Sequence, residues 1–226
     1  MTAKTLPRRP SSRSRENWLG LEIERKFLVV TETWRTDVVR SLHIEDHLIA
    51  DFPKGKARIR ICAGTATLTL KGNRAGIRRS EFNLPLTLAD AAAMAHVFSD
   101  VQPLAKRRHE VKVASLVWQV DEYLGPLAGL VTADAELPEK DHPLVLPPWA
   151  GPEITADARF CSRALAGAIK QGKTAIAGVM AAAMAAAEQD RGSRARHRKN
   201  GSEGHKSAGV APLHLADASA NCRLAE

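Results

Sequence analysis

About eight short strand-like segments with few helices between them predict a mainly β chain, its antiparallel sheet closed into a barrel or folded as a sandwich. A second observation is alternation: on most of these segments charged residues at i and i+2 face away from apolar residues at i+1 and i+3. A third is that nearly all the aromatics lie between residues 19 and 168.

The bulk numbers agree with one folded domain and two tails. The chain has 226 residues, 44% hydrophobic and 26% charged, which is enough for one core of ordinary composition. Its formal net charge of +8 suits an anionic partner. Cys62, Cys161 and Cys222 have no metal-type spacing and make no disulfide framework, so a reducing, cytoplasmic setting is expected. No apolar run reaches membrane-spanning length, so no membrane partner is expected. The expected organisation is a basic disordered arm at 1–18, a β-rich domain at 19–168, an Ala-rich helix at 169–188 and a basic disordered tail at 189–226. In the arm, Pro7 and Pro10 oppose an amphipathic helix. The tail run "RGSRARHRK" has no aromatics and no folded reader, so nucleic acid is not its expected partner.

Within the domain, strands are expected at 21–30, 46–51, 56–62, 66–71, 78–84, 104–113, 116–122 and 129–137. "KGNRAG" and "LGPLAG" supply turns between them. A short helix is expected at "TWRTDVV". A second opens at "TLAD", with Thr87 as N-cap and Asp90 three residues on.

Alternation alone means one face on a core and one in water. The set of charges says more. Glu22, Glu24 and Lys26 share a face in "EIERK", with Ile23 and Phe27 opposite and Arg25 snorkelling on that outer side. Arg58 with Arg60, Lys71, Arg79 with Glu81, Lys106 with Arg108, Asp121, and Asp134 with Glu136 fall in the same way on later strands. Turned inward, they would line a hydrophilic lumen. Like charges about 4 Å apart repel by roughly 4 kcal/mol at an effective dielectric of about 20, so such a lumen needs counter-charges. Carboxylates call for a hard divalent cation, Mg²⁺ or Mn²⁺. A ring of Arg and Lys calls for phosphate oxygens. A linear polyphosphate with its metal satisfies both.

These residues resemble a known family. "EIERKFLV" is similar to the ExExK signature of the CYTH superfamily, the triphosphate tunnel metalloenzymes. "RIRI", "TLTLKG", "RRSEF", "AKRRHEV", "WQVDEYLGPLAGL", "ADAEL" and "LPPWAGPEITADARF" follow in the family's order over about residues 20–168. The likeness is greatest to the short bacterial branch that hydrolyses inorganic triphosphate. It implies an α+β, mainly β fold: an eight-stranded antiparallel β-barrel tunnel with helices packed outside. It implies Lys26 and Glu24 as catalytic, and Glu22, Glu24, Asp121, Asp134 and Glu136 as metal-binding. Arg58, Arg60, Lys71, Arg79, Lys106 and Arg108 would bind a triphosphate-containing small molecule. A homodimer is one assembly the family offers. The sequence departs from the pattern at Asn83, Gln119 and Asp134, where Glu is usual, and at "RFCSRA", which places Cys161 and Ser162 in a normally more aromatic run. The amides remove negative charge and make the lumen more cationic. Two alternatives stay open: an adenylate cyclase, or a polyphosphate- or nucleotide-binding protein without turnover.

Overall fold

The first strand, β1 (Leu19–Val29), does the closing. The others are β2 (Val38–Phe52), β3 (Gly55–Cys62), β4 (Thr65–Gly72), β5 (Arg78–Leu86), β6 (Leu104–Val113), β7 (Leu116–Tyr123), β8 (Val131–Glu136) and β9 (Ala150–Glu153). They form one antiparallel sheet in the order β5-β4-β3-β2-β6-β7-β8-β1-β9, and β5 also pairs with β1. One edge of β1 is shared: residues 19–23 pair with β5, and Phe27 and Val29 pair with β9. Its other edge takes β8 from Glu24 to Leu28. The β5–β1 ladder closes eight strands into the expected barrel and excludes the sandwich. The computed structural model describes residues 19–203, with side chains for 20–196. The basic arm at 1–18 and the tail beyond 203 lie outside the described residues.

The outward faces explain which residues turn inward. Phe27, Val111, Trp118, Val120, Ala133 and Ala135 point out and are buried under Trp34 and Trp149. The Trp118 ring stands 5.3 Å from both Phe27 and Trp149. Across the barrel, Ile59 and Ala66 are covered by Ala91 and Ala95 of α1 (Leu88–Phe98). With the apolar faces buried outside, period-two alternation leaves the charges in the lumen. Arg25 lies outside, where it donates to Glu153 at 3.0 Å.

α1 starts as expected: Asp90 N donates to Thr87 Oγ1 at 3.0 Å. "TWRTD" is a 3₁₀ turn at Thr33–Asp37, and β2 begins at Val38, earlier than the expected residue 46. The expected Ala-rich helix is two helices, α2 (Ser162–Gln171) and α3 (Lys173–Glu203), parted at Gly172, whose φ is 91°. α3 runs past 188, so the start of the expected tail is helical. Contacts divide the chain after Asp190. Of the second unit, from Arg191, the described part is helix. No described helix is long and apolar enough to cross a membrane.

Part of the lumen lining is apolar. Leu104, Tyr123, Ile154 and Phe160 form it and belong to a buried cluster with Leu28, Leu127, Leu130 and Leu165. Ile176, Val179 and Met180 of α3 pack against the same cluster.

Candidate active site

Strand register sets the lumen charges in pairs. Directly paired residues point to the same side, so Glu24 faces Glu136, Lys26 faces Asp134, Glu22 faces Arg79, and Arg108 faces Asp121. Lys56 faces Lys71, and Lys71 faces Glu81. The cavity they enclose measures about 120 Å³ and is lined by nine basic side chains against six carboxylates.

On the acidic wall, Glu22, Glu24 and Glu136 bring ligand oxygens within 4.8 Å of one another. Lys71 Nζ donates to Glu22 at 2.7 Å, and Arg79 also donates to Glu22. Arg74 donates to the Glu24 carboxylate at 2.7 Å and to its carbonyl at 3.1 Å. Burial alone would raise the Glu22 carboxyl. The Arg79 hydrogen bond and the Lys71 ammonium outweigh it and hold the group at about 2. Glu136 goes the other way: partial burial, then repulsion from Glu24 and Glu22, raises its carboxyl.

The basic wall is built on two buried aspartates. Asp46 accepts from Arg58 Nη1 at 2.9 Å and from Arg60 at 2.7 and 2.8 Å. Asp121, wholly buried, accepts from Lys106 at 2.5 Å and from Arg108 twice at 2.7 Å. Burial raises both carboxyls, but the adjacent guanidinium groups hold them well below the ordinary range. Lys26 pairs with Asp134. Burial would lower its ammonium, and Asp134 keeps it above the usual lysine range.

Eleven of the twelve expected site residues line this lumen; the twelfth, Asp121, is wholly buried and holds Lys106 and Arg108. Glu22, Glu24 and Glu136 form the three-carboxylate cluster, while Lys106 and Arg108 bind Asp121 and Lys26 binds Asp134. The lumen residues outside the expected site set include four charged ones, Asp46, Lys56, Arg74 and Glu81 (a partner of Lys71), and also Ser162. Lys56 carried a readable signal, because "KARIR" places it at i−2 from Arg58 on the same face. Asp46 and Arg74 carried none.

The amide departures have defined places. Asn83 accepts from Thr69 at 2.8 Å and donates to Glu81 at 2.9 Å. Gln119 accepts from Arg108 and donates to Glu136 at 3.2 Å.

The donor set of Glu22, Glu24 and Glu136 fits a hard divalent cation. It offers only carboxylate oxygens, brought within 4.8 Å of one another.

Comparison with known proteins places this arrangement. An inorganic triphosphatase of Acetivibrio thermocellus is 30% identical over 142 residues, covering 63% of this chain and 90% of that protein. An inorganic triphosphatase of Nitrosomonas europaea is 26% identical over 149 residues, covering 64% of this chain and 96% of that one. The crystal structure of the inorganic triphosphatase NE1496 aligns with a TM-score of 0.48 at 25% identity, over 64% of this chain and 93% of that chain. The family model of the CYTH domain matches residues 20–161, the span that builds the barrel and its charged interior. This chain belongs to the CYTH domain family.

Proposed function

We propose that the chain hydrolyses a linear triphosphate in its barrel lumen, with a divalent cation on the Glu22, Glu24 and Glu136 wall. The observation that carries this is the division of the lumen into a cluster of three carboxylates and a larger set of cations. The two similar triphosphatases support the reaction class.

The residues divide the work. Arg58, Arg60, Lys106 and Arg108 are held in place by Asp46 and Asp121 and present a fixed cationic surface to phosphate oxygens. Lys26, kept charged by Asp134, sits one inward position from Glu24 and offers its ammonium near the acidic wall. Lys71 and Arg79 bridge the two walls through Glu22. A divalent cation, when bound, would neutralise phosphate charge and polarise the phosphoryl group. The rest is orientation: the phosphoryl passes to a water in line with the leaving oxygen, giving orthophosphate and pyrophosphate. A cavity of about 120 Å³ suits a chain of phosphates. Pockets for drug-sized ligands are larger, about 300–1,000 Å³, so a nucleoside would have to remain outside.

The test is phosphate release from inorganic triphosphate by the purified full chain, with Mg²⁺, with Mn²⁺ and with chelator. Metal-dependent release is expected. A folded protein that binds triphosphate and releases no phosphate with either metal would overturn the hydrolytic reading.

A further inference from the structure

We infer that Lys56, Arg58 and Ser162 form a seat for an unsubstituted terminal phosphate at the α2 end of the lumen. The inference rests on the triphosphate reading above and adds where the chain must end.

Lys56 is the exception among the lumen cations. It is only 6% exposed. The other eight basic residues lining the cavity each pair with a carboxylate. Lys56 has none among the described residues, and its Nζ donates to Ser162 Oγ. Its position is fixed by the backbone. A Cβ on neighbouring Gly55 would lie 2.2 Å from the Lys71 carbonyl oxygen, so β3 and β4 can approach this closely only with glycine there. A buried ammonium without a counter-ion is costly to maintain. Burial, with repulsion from Arg79, brings Lys56 down to about 7.

Two further features converge on the same spot. Arg58 Nε is buried with no hydrogen-bond partner, although the same guanidinium reaches Asp46 through Nη1. Ser162 is the first residue of α2, a ten-residue helix, and its hydroxyl is the group that meets the Lys56 ammonium. Lys56, Arg58 and Ser162 also line a small adjoining void with Leu48, Leu104, Ala166 and Asp46, whose carboxylate is taken up by Arg58 and Arg60.

The chemistry that satisfies all of these donors is a compact oxyanion with several acceptor oxygens and more than one negative charge. In this lumen that is a phosphate. Leu104, which lines the adjoining void, and Phe160, two residues before Ser162, are apolar and offer no donor to a further phosphate. The phosphate placed there is therefore the free end.

The test is calorimetric binding of inorganic triphosphate and of ATP to the full chain in chelator, so that turnover does not intervene. Lys56→Met should weaken triphosphate binding about tenfold or more, the size of a lost charge-assisted hydrogen bond. Its melting temperature without ligand should not fall, because an uncompensated buried cation has been removed. Lys56→Arg should restore most of the binding. Ser162→Asp gives Lys56 a carboxylate partner and should weaken binding in the same way; this variant decides the matter if Lys56→Met does not fold. Equal losses for ATP and triphosphate assign the seat to any free phosphate terminus. A loss for triphosphate alone assigns it to the inorganic chain. Binding to Lys56→Met and Ser162→Asp within about twofold of wild type, a difference too small for a lost charge-assisted bond, overturns the seat. If wild type also releases phosphate, the hydrolytic reading survives that outcome. Lys56-dependent binding without any release leaves the seat standing and overturns hydrolysis alone.

Discussion

Replacing Asp46 with Asn removes the one carboxylate held between Arg58 and Arg60. Asp46 is 5% exposed and Arg58 8%, so water cannot take over the lost charge. Three hydrogen bonds of 2.7–2.9 Å meet on its two oxygens. Asn keeps one acceptor oxygen and turns the other into a donor facing a guanidinium. Breaking a buried ion pair from one side costs about 3–5 kcal/mol, chiefly because the partner charge is left uncompensated. Here the partners are two cations, and the retained amide oxygen offsets part of the loss, so about 3 kcal/mol is expected. The same reasoning predicts that an anion in the lumen becomes more valuable. A ligand at 100 times its Kd stabilises a folded protein by about 2.7 kcal/mol, and Asp46→Asn should gain more than wild type at equal triphosphate concentration, because phosphate supplies the missing negative charge. Urea unfolding with and without inorganic triphosphate measures both quantities. A loss below about 1 kcal/mol, the range of an exposed pair, would refute the claim that Asp46 anchors the basic wall. So would a triphosphate stabilisation no larger than that of wild type.

Other expectations follow from the same geometry. Glu24→Gln should lower phosphate release by about 100-fold or more while triphosphate still binds, since one preorganised charge is removed from the acidic wall; unchanged turnover would exclude Glu24 from the chemistry. Gln119→Glu sets a second carboxylate 3.2 Å from Glu136, so Mn²⁺ should bind more tightly and the metal-free protein should melt lower; a metal titration with weaker Mn²⁺ binding would contradict this. Glu22 and Glu81 are each held at about 2, against an ordinary 4.5, burial being outweighed by Arg79 and Lys71 for the first and by Lys71 for the second. Their contribution to stability is therefore complete above about pH 4.5 and is lost as pH falls toward 2. Melting temperatures in an acid series should drop through that window, and a flat profile down to about pH 3 would show these carboxylates to be unpaired in solution.

What was legible in the sequence was parity. Glu22, Glu24 and Lys26 could be assigned to one face from spacing alone, because a strand offers only two faces. The covering of the other face by Trp34, Trp149 and α1 agrees with the apolar residues opposite them. Register was not legible. Asp46 sits in "HIEDHL", where polar residues occupy both faces of β2, and only its pairing with Arg60 reveals that it looks inward. Arg74 lies in the "KGNRAG" turn, where no periodicity exists to assign a direction, yet it reaches Glu24. Strand β9 has four residues, one of them Pro152, and carries too little pattern to be seen. The helical run past 188 was hidden by composition: Gly and Ser among the arginines suggested a tail, while Arg and Ala are good helix formers.

The two amides that depart from the family pattern also follow from register. A carboxylate only accepts hydrogen bonds, whereas an amide accepts at one end and donates at the other. Gln119 stands between Arg108 and Glu136, a cation and an anion on neighbouring strands, and the amide satisfies both at once. A glutamate there would serve Arg108 and repel Glu136, whose carboxyl is already raised by burial and by Glu24 and Glu22. Asn83 plays the same part between Thr69 and Glu81. Each amide thus fixes an acidic side chain in place without adding to the negative charge around it. The acidic wall keeps its three-carboxylate cluster, and the lumen as a whole becomes more cationic. Lys56, which pairs with no carboxylate among the described residues, is the furthest expression of that shift, and a phosphate terminus would supply its counter-charge.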